Sequence, residues 1–207
     1  AEVMLVLNAS PFHLGKYEER LDMLVQRSRE NQLLILYLNT VGGQDELVFD
    51  GESLVMSETG KLVSRLPAFE SVIDYVEVNA TQVSVVEKRD VTALSEDEAI
   101  YKALVLGVKD YVHKNGFTGA VIGLSGGVDS ALTLAIAVDA LGAEHVHAVM
   151  MPSQYTADMS LDDAEEEAEK LGVLYDIIAI ESVFTSFLGL LEGVFEGKEA
   201  DATEENI

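Results

Sequence analysis

The chain has 207 residues, enough for one large domain or two small ones. Thirteen Lys and Arg stand against 37 Asp and Glu, a formal net charge of −24, and no basic cluster of the kind that binds nucleic acid or an anionic membrane is visible, so neither partner is expected. The absence of Cys excludes a disulfide, a thiolate metal site and a cysteine nucleophile from these residues, and fits a cytoplasmic protein.

No apolar run approaches the roughly 20 residues that cross a bilayer, and nothing reads as a signal peptide. "AEVMLVLNAS" starts directly in an apolar strand, as the inside of a domain would. Leu21, Leu24, Val25 and Ser28 recur at helical spacing and predict a helix over Lys16–Asn31. "LLILYLN" predicts a buried strand over Leu33–Asn39. "VGGQDELVFDGESLVM" reads as a hairpin turning at Asp50–Gly51, and "KLVSRLP" and "SVIDYVEVN" as two further strands. The pattern weakens after Ala80, where Ser95 and Glu98 have the spacing of a helix capping box. This gives a first domain over 1–80, a linker over 81–95 and a second domain over 96–207.

The second domain alternates. Helix is expected over Glu96–Asn115, strand over Ala120–Leu124, helix over Ser130–Leu141 and strand over His145–Met151. Helix Ser160–Leu171, strand Tyr175–Ala179 and helix Ser182–Phe195 follow. Such alternation predicts a parallel sheet with helices on both faces.

Between the first of these strands and its helix stands "GLSGGVDS", Gly123, Leu124, Ser125, Gly126, Gly127, Val128, Asp129 and Ser130. Open parallel sheets bind ligands outside the carboxyl ends of their strands, where helix N-termini point. Glycines let backbone approach a ligand, and loop N–H groups with a helix dipole make an anion nest. A carboxylate repels a bare anion, so Asp129 makes sense if Mg²⁺ lies between it and phosphate. There is no loop lysine, so this is not a Walker loop, and no dinucleotide fingerprint either. The plainer reading is a tight turn with Asp129 or Ser130 as helix cap.

The loop resembles the pyrophosphate-loop signature Ser-Gly-Gly-x-Asp-Ser of enzymes that split ATP between its α- and β-phosphates and adenylate a substrate. Its flanks, "YKALVLGVKDYVHKNGFTGAVIGLSGGVDSALTLAIAVDALG" and "VMMPSQYTADMSLDDAEEEAEKLG", look like the synthetase domain of the glutamine-dependent NAD synthetase family, and "TEENI" like the start of its next motif. "LNASPFHLGKYEER" and "YLNTVGGQDELVFDGES" are similar to the close of a nitrilase-like glutaminase domain, fused upstream in that family. The resemblance implies the end of a nitrilase-like α/β/β/α sandwich, then a Rossmann-like ATP pyrophosphatase (adenine nucleotide alpha hydrolase-like) domain. It also implies that the glutaminase Glu, Lys and Cys precede "LNASP". The chain then reads as an internal piece of a longer protein, inactive alone as a glutaminase.

The resemblance implies an activity as well: ATP-dependent amidation of deamido-NAD through an acyl-adenylate, with ammonia from glutamine. ATP or its pyrophosphate would sit on residues 123–130, Mg²⁺ on Asp129, and glutamine on Ser10 and Lys16. Relatives assemble around a synthetase-domain dimer, so a homo-oligomer is expected. A tRNA-modifying enzyme with the same loop, or a non-catalytic module, stay open as alternatives.

Other features read more plainly. His145 and His147 are expected on one side of a strand, without a third metal ligand. His13 and His113 carry no pattern. Glu46 reads as packing or hydrogen bonding near the glutaminase pocket, and "DDAEEEAEK" as a solvated helix face. Gln154 has no assigned role.

Overall fold

The computed structural model describes residues 2–79, 82–85 and 91–193. The chain divides into two compact units, residues 1–115 and 116–207. The first holds β1 (Val3–Asn8), α1 (Lys16–Asn31), β2 (Leu34–Asn39), β3 (Val41–Gln44), β4 (Leu47–Asp50), β5 (Leu54–Met56), β6 (Leu62–Arg65), β7 (Val76–Asn79), β8 (Gln82–Val85) and α2 (Glu96–Lys114). Its main sheet has the order β1-β2-β5-β6. β1 and β2 are parallel, in register from Val3↔Leu34 to Asn8↔Asn39, and β5 and β6 add antiparallel.

Helix α1 forms where its apolar spacing predicts, and it buries a stripe of Arg20, Leu24 and Ser28, each four residues from the next. Leu24 packs with Ile35, Tyr37, Leu54 and Met56, and Val6, Tyr17, Leu21 and Leu62 flank that cluster. Each fully buried aliphatic side chain contributes about 2 kcal/mol. The Ser28 hydroxyl reaches the Leu33 carbonyl at 2.8 Å and that of Ser57, tying the helix end to the sheet.

The hairpin differs from expectation. β3 and β4 pair from Val41↔Asp50 to Gln44↔Leu47, so the turn is Asp45–Glu46, with Asp45 at φ 50°. β5 leaves β4 and pairs with β2 and β6. Asp50–Gly51 is not the turn, because the Asp50 carboxylate is buried against Arg20, with bonds of 2.9 and 3.2 Å. β8 pairs with β7 inside the stretch read as linker.

The second unit holds β9 (Ala120–Gly123), α3 (Val128–Leu141), a 3-10 turn (Ala143–His145), β10 (Val146–Met150), α4 (Asp158–Leu171), β11 (Leu174–Ile177) and α5 (Glu181–Leu191). The three strands are parallel in the order β11-β10-β9. Because the chain steps one way along this sheet, right-handed crossovers put α3 and α4 on the same face, where they touch. The expectation of helices on both faces is thus corrected for these two. α3 buries Leu134, Ile136, Ala137, Ala140 and Leu141, and α4 buries Ala164 and Ala168. The last turn expected of the final helix and the "TEENI" segment lie outside the described residues. Among the described residues no helix is long and apolar enough to cross a membrane.

Candidate functional site

The Ser125–Ser130 loop leaves the carboxyl end of β9 and enters α3 directly. Gly123 ends the strand, and the Leu124 side chain is buried while its N–H donates to the Val149 carbonyl at 2.9 Å, which extends the ladder. The loop is closed by its two serines. The Ser125 N–H donates to Ser130 Oγ at 3.1 Å, the hydroxyls meet at 2.9 Å, and Ser130 Oγ donates to the Gly127 carbonyl at 2.9 Å. Gly127 donates its N–H to Ser125 Oγ at 3.3 Å. Gly126 has φ 73°, and a Cβ there would fall on the Ser160 carbonyl oxygen and 2.7 Å from its Cα. The loop therefore rests against the first turn of α4, an approach only glycine permits.

α3 begins two residues earlier than the periodicity predicts. Gly127 is its cap residue, and no side chain caps it. Neither Asp129 nor Ser130 is the cap that the plainer reading foresaw. The N–H groups of Val128, Asp129 and Ser130 fall in the first turn, where no carbonyl of the helix can accept them. Together with the helix dipole they make an anion-binding end. Val128 and Asp129 are both exposed. Asp129 sits in the first turn of α3, the turn that carries those N–H groups.

In the first unit, Ser10 lies just past the end of β1. Asn39, at the end of β2, holds its backbone from both sides: the Ser10 N–H donates to Asn39 Oδ1 at 2.7 Å and Asn39 Nδ2 donates to the Ser10 carbonyl at 3.1 Å. Lys16 opens α1 and pairs with Glu19 at 3.6 Å. Lys16 lines a cavity of about 400 Å³ with Phe12, Tyr17, Glu52, Arg65 and Phe69, while Ser10 is outside that lining. The sequence reading missed Glu52 and Arg65. They form an ion pair in which Glu52 is buried and Arg65 partly so, with the Arg65 guanidinium 3.9 Å over the Tyr17 ring. Burial pushes the Glu52 carboxyl above the ordinary carboxylate range, against the pull of Arg65. Arg20 was also missed, although its i, i+4 spacing to Leu24 is the signal that marks it as inward.

The remaining features resolve simply. His145 ends the 3-10 turn instead of lying on a strand with His147, and His147 Nε2 meets Asp176 Oδ2 at 2.8 Å. No group of three or more His, Cys, Asp or Glu able to hold a metal occurs among the described residues. Glu46 is exposed in the hairpin turn, away from the packing role expected of it. The acidic face of α4 is exposed, with only Ala164 and Ala168 buried. The Gln154 N–H donates to Glu181 at 3.1 Å.

The fold and this loop define a class: an α/β protein with a glycine-bearing loop at the carboxyl end of a parallel strand, where such sheets bind ligands. Residues 100–207 match the NAD synthase family, and the chain belongs to it. It is 44% identical over 206 residues to the glutamine-dependent NAD(+) synthetase of Acinetobacter baylyi, covering all of this chain and 38% of that protein. The Thermotoga maritima protein of the same name is 40% identical over 233 residues, with 97% and 40% covered. The glutamine-dependent NAD+ synthetase of Acinetobacter baumannii, solved in complex with adenosine diphosphate, superposes with a TM-score of 0.93 at 45% identity, over 100% of this chain and 39% of that one. The Cytophaga hutchinsonii enzyme shares the fold, with a TM-score of 0.76 at 20% identity over 99% of this chain and 42% of that one. The chain thus spans about two fifths of the length of the relatives it matches.

Proposed function

We propose that the protein carrying these residues makes NAD from deamido-NAD, using ATP and ammonia released from glutamine. The observation that carries this reading is the Ser125–Ser130 loop, with its uncapped N–H groups at the start of α3, in a chain of the NAD synthase family. The nicotinate carboxylate oxygen attacks the α-phosphorus of ATP and pyrophosphate leaves. Ammonia then attacks the acyl carbon, AMP leaves, and the nitrogen gives up a proton to complete the amide.

Most of this chemistry is positioning and charge stabilisation. The N–H groups of Val128, Asp129 and Ser130 and the backbone of Gly126 and Gly127 hold the β- and γ-phosphates. Ser125 and Ser130 shape that cradle and can exchange their mutual hydrogen bond for one to phosphate oxygen. One exposed carboxylate beside an anion-binding helix end fits Mg²⁺, which takes one or two carboxylates plus substrate phosphates rather than a full protein cage. Asp129 would hold that ion. When bound, it supplies charge neutralisation for the leaving pyrophosphate.

Ser10 and Lys16 hold glutamine in the nitrilase-like half, at residues 1–80. Residues 96–207 form the ATP-binding half. The working form is a cytoplasmic homo-oligomer built on a dimer of synthetase domains.

The test is NAD formation by the complete gene product with deamido-NAD, ATP and Mg²⁺, with glutamine or ammonium as donor. Product from both donors is expected. Asp129→Ala should lower kcat/KM with either donor by about a hundredfold or more, with an unchanged unfolding midpoint. No product from either donor, or near-normal activity in Asp129→Ala, would overturn the reading.

A further inference from the structure

The parallel register Asn8↔Asn39 brings the carboxyl ends of β1 and β2 side by side, so the chain leaving β1 through Ala9 passes directly over Asn39. Asn39 is 8% exposed, and its side chain makes three bonds. Oδ1 accepts the Ser10 N–H at 2.7 Å. Nδ2 donates to the Ser10 carbonyl at 3.1 Å and to Asp50 Oδ1 at 2.9 Å. Only one amide orientation satisfies all three, since the Ser10 N–H can only donate and the Asp50 carboxylate only accepts. The amide thus mimics a neighbouring strand for a single residue.

Asn39 is itself fixed from behind. Its own N–H donates to Ser53 Oγ at 3.0 Å. Asp50 is held by the Arg20 guanidinium, which also donates to the Gly51 carbonyl at 3.2 Å. Arg20 rides on α1, the helix that Lys16 opens. A continuous chain of hydrogen bonds, buried from Asn39 inward, therefore runs from Ser10 through Asn39 and Asp50 to Arg20. It ties the two residues read as glutamine-binding to one rigid frame.

We propose that Asn39 is a positioning residue for glutamine: it fixes the Ser10 backbone, through the Asp50–Arg20 pair, in the conformation that meets the substrate. The inference rests on the reading of Ser10 as a glutamine contact. Asn39 touches no reacting atom, and its effect belongs to the affinity for glutamine rather than to the synthetase step.

The experiment uses the complete gene product, with NAD formation measured against glutamine and, separately, against ammonium. Asn39→Ala should raise the glutamine KM about tenfold or more, the scale expected when a half-buried backbone pair loses its partners, and leave the ammonium-supported rate within about twofold of the parent. Should Asn39→Ala also lose the ammonium-supported rate, Asn39→Ser, which keeps a short hydrogen-bonding side chain, is read in its place. It should show the same split in milder form. Ser10→Ala runs in parallel. An unchanged glutamine KM in the Asn39 variants beside a raised one in Ser10→Ala overturns the proposal and leaves the glutamine reading standing. An unchanged KM in Ser10→Ala overturns the glutamine reading itself. Equal loss with both donors in Asn39→Ser assigns the residue to the fold and overturns the proposal too.

Discussion

Gly126 carries two demands at one position: a left-handed φ of 73° and a backbone packed against Ser160 of α4. Alanine in that conformation costs about 1 kcal/mol before any clash, and here its Cβ would meet main-chain atoms that cannot rotate away. Gly126→Ala should therefore displace the loop from α4 and, on the function proposed above, weaken ATP binding by the complete gene product by about tenfold or more, as calorimetric titration would read. Val128→Ala, at an exposed side chain, should stay within about 0.5 kcal/mol of the parent in stability. Equal nucleotide affinity in Gly126→Ala and the parent would show that the approach to α4 does not shape the site. At this scale the place of the loop between a strand and a helix was legible in the sequence, because two glycines, two hydroxyls and a carboxylate interrupt two apolar runs. The start of α3 was not, since Val128 and Asp129 read as loop until Gly127 is seen to be the cap. Nor was the partner of Ser10, because Asn39 stands 29 residues away and only the parallel β1–β2 register brings it near.

Between elements, α2 grips the β3–β4 hairpin by its backbone. Asp110 accepts the Gly43 N–H at 2.7 Å, Lys114 donates to the Gly43 carbonyl at 2.6 Å, and the two side chains pair at 2.9 Å. Gly43 and Gly107 allow this closeness: a Cβ on Gly43 would stand 3.3 Å from the Gly107 Cα. Most of α2 falls within residues 100–207, so a helix of the family segment is clamped to a hairpin that precedes it. Partial burial pushes the Asp110 carboxyl up, but the bonds from Lys114 and Gly43 outweigh this and hold it below the ordinary range. A depressed carboxyl stabilises the fold above its unfolded-state pKa, and that stabilisation is lost as pH falls through the folded-state value. Glu52 works in the opposite sense, its contribution being full at low pH and lost as pH rises through its raised value. Asp110→Ala should cost about 1–3 kcal/mol near neutral pH. The gap to the parent should narrow as pH falls to about 3, read from urea midpoints. A gap that stays constant with pH would remove the charge from the account and leave only packing. The alternation of strand and helix in the second unit was legible because each element repeats its own period. The hairpin was misjudged because Asp-Gly is the stronger turn signal, and only the buried Arg20 guanidinium shows why Asp50 stays on its strand instead.

Across these 207 residues the net charge of −24 is a destabilising term, since like charges are held closer in the folded chain than in the unfolded one. It is concentrated in places. α4 carries Asp158, Asp162, Asp163, Glu165, Glu166, Glu167 and Glu169 against Lys170 alone, with several acidic pairs three or four residues apart. Its ion pair between Lys170 and Glu166, at 2.6 Å, is fully exposed and offsets little of that repulsion. By contrast, the pair that ties α1 to the β3–β4 hairpin, Arg20 with Asp50, is buried and thus shielded from added ions. Salt shortens the reach of charge from about 10 Å at 0.1 M to about 3 Å at 1 M, so it weakens the surface repulsion and spares the buried pair. The unfolding midpoint should rise with sodium chloride, by about 3–6 °C over that range, which is about 1–2 kcal/mol for a chain of this size. Choline chloride should act equally, because screening depends on ionic strength and not on a bound sodium ion. Neutralising the helix face with Asp162→Asn, Glu165→Gln and Glu169→Gln should raise the midpoint at low salt and flatten the salt response. A midpoint that falls with salt would mean that attraction outweighs repulsion at the surface, and would overturn this account of the acidity.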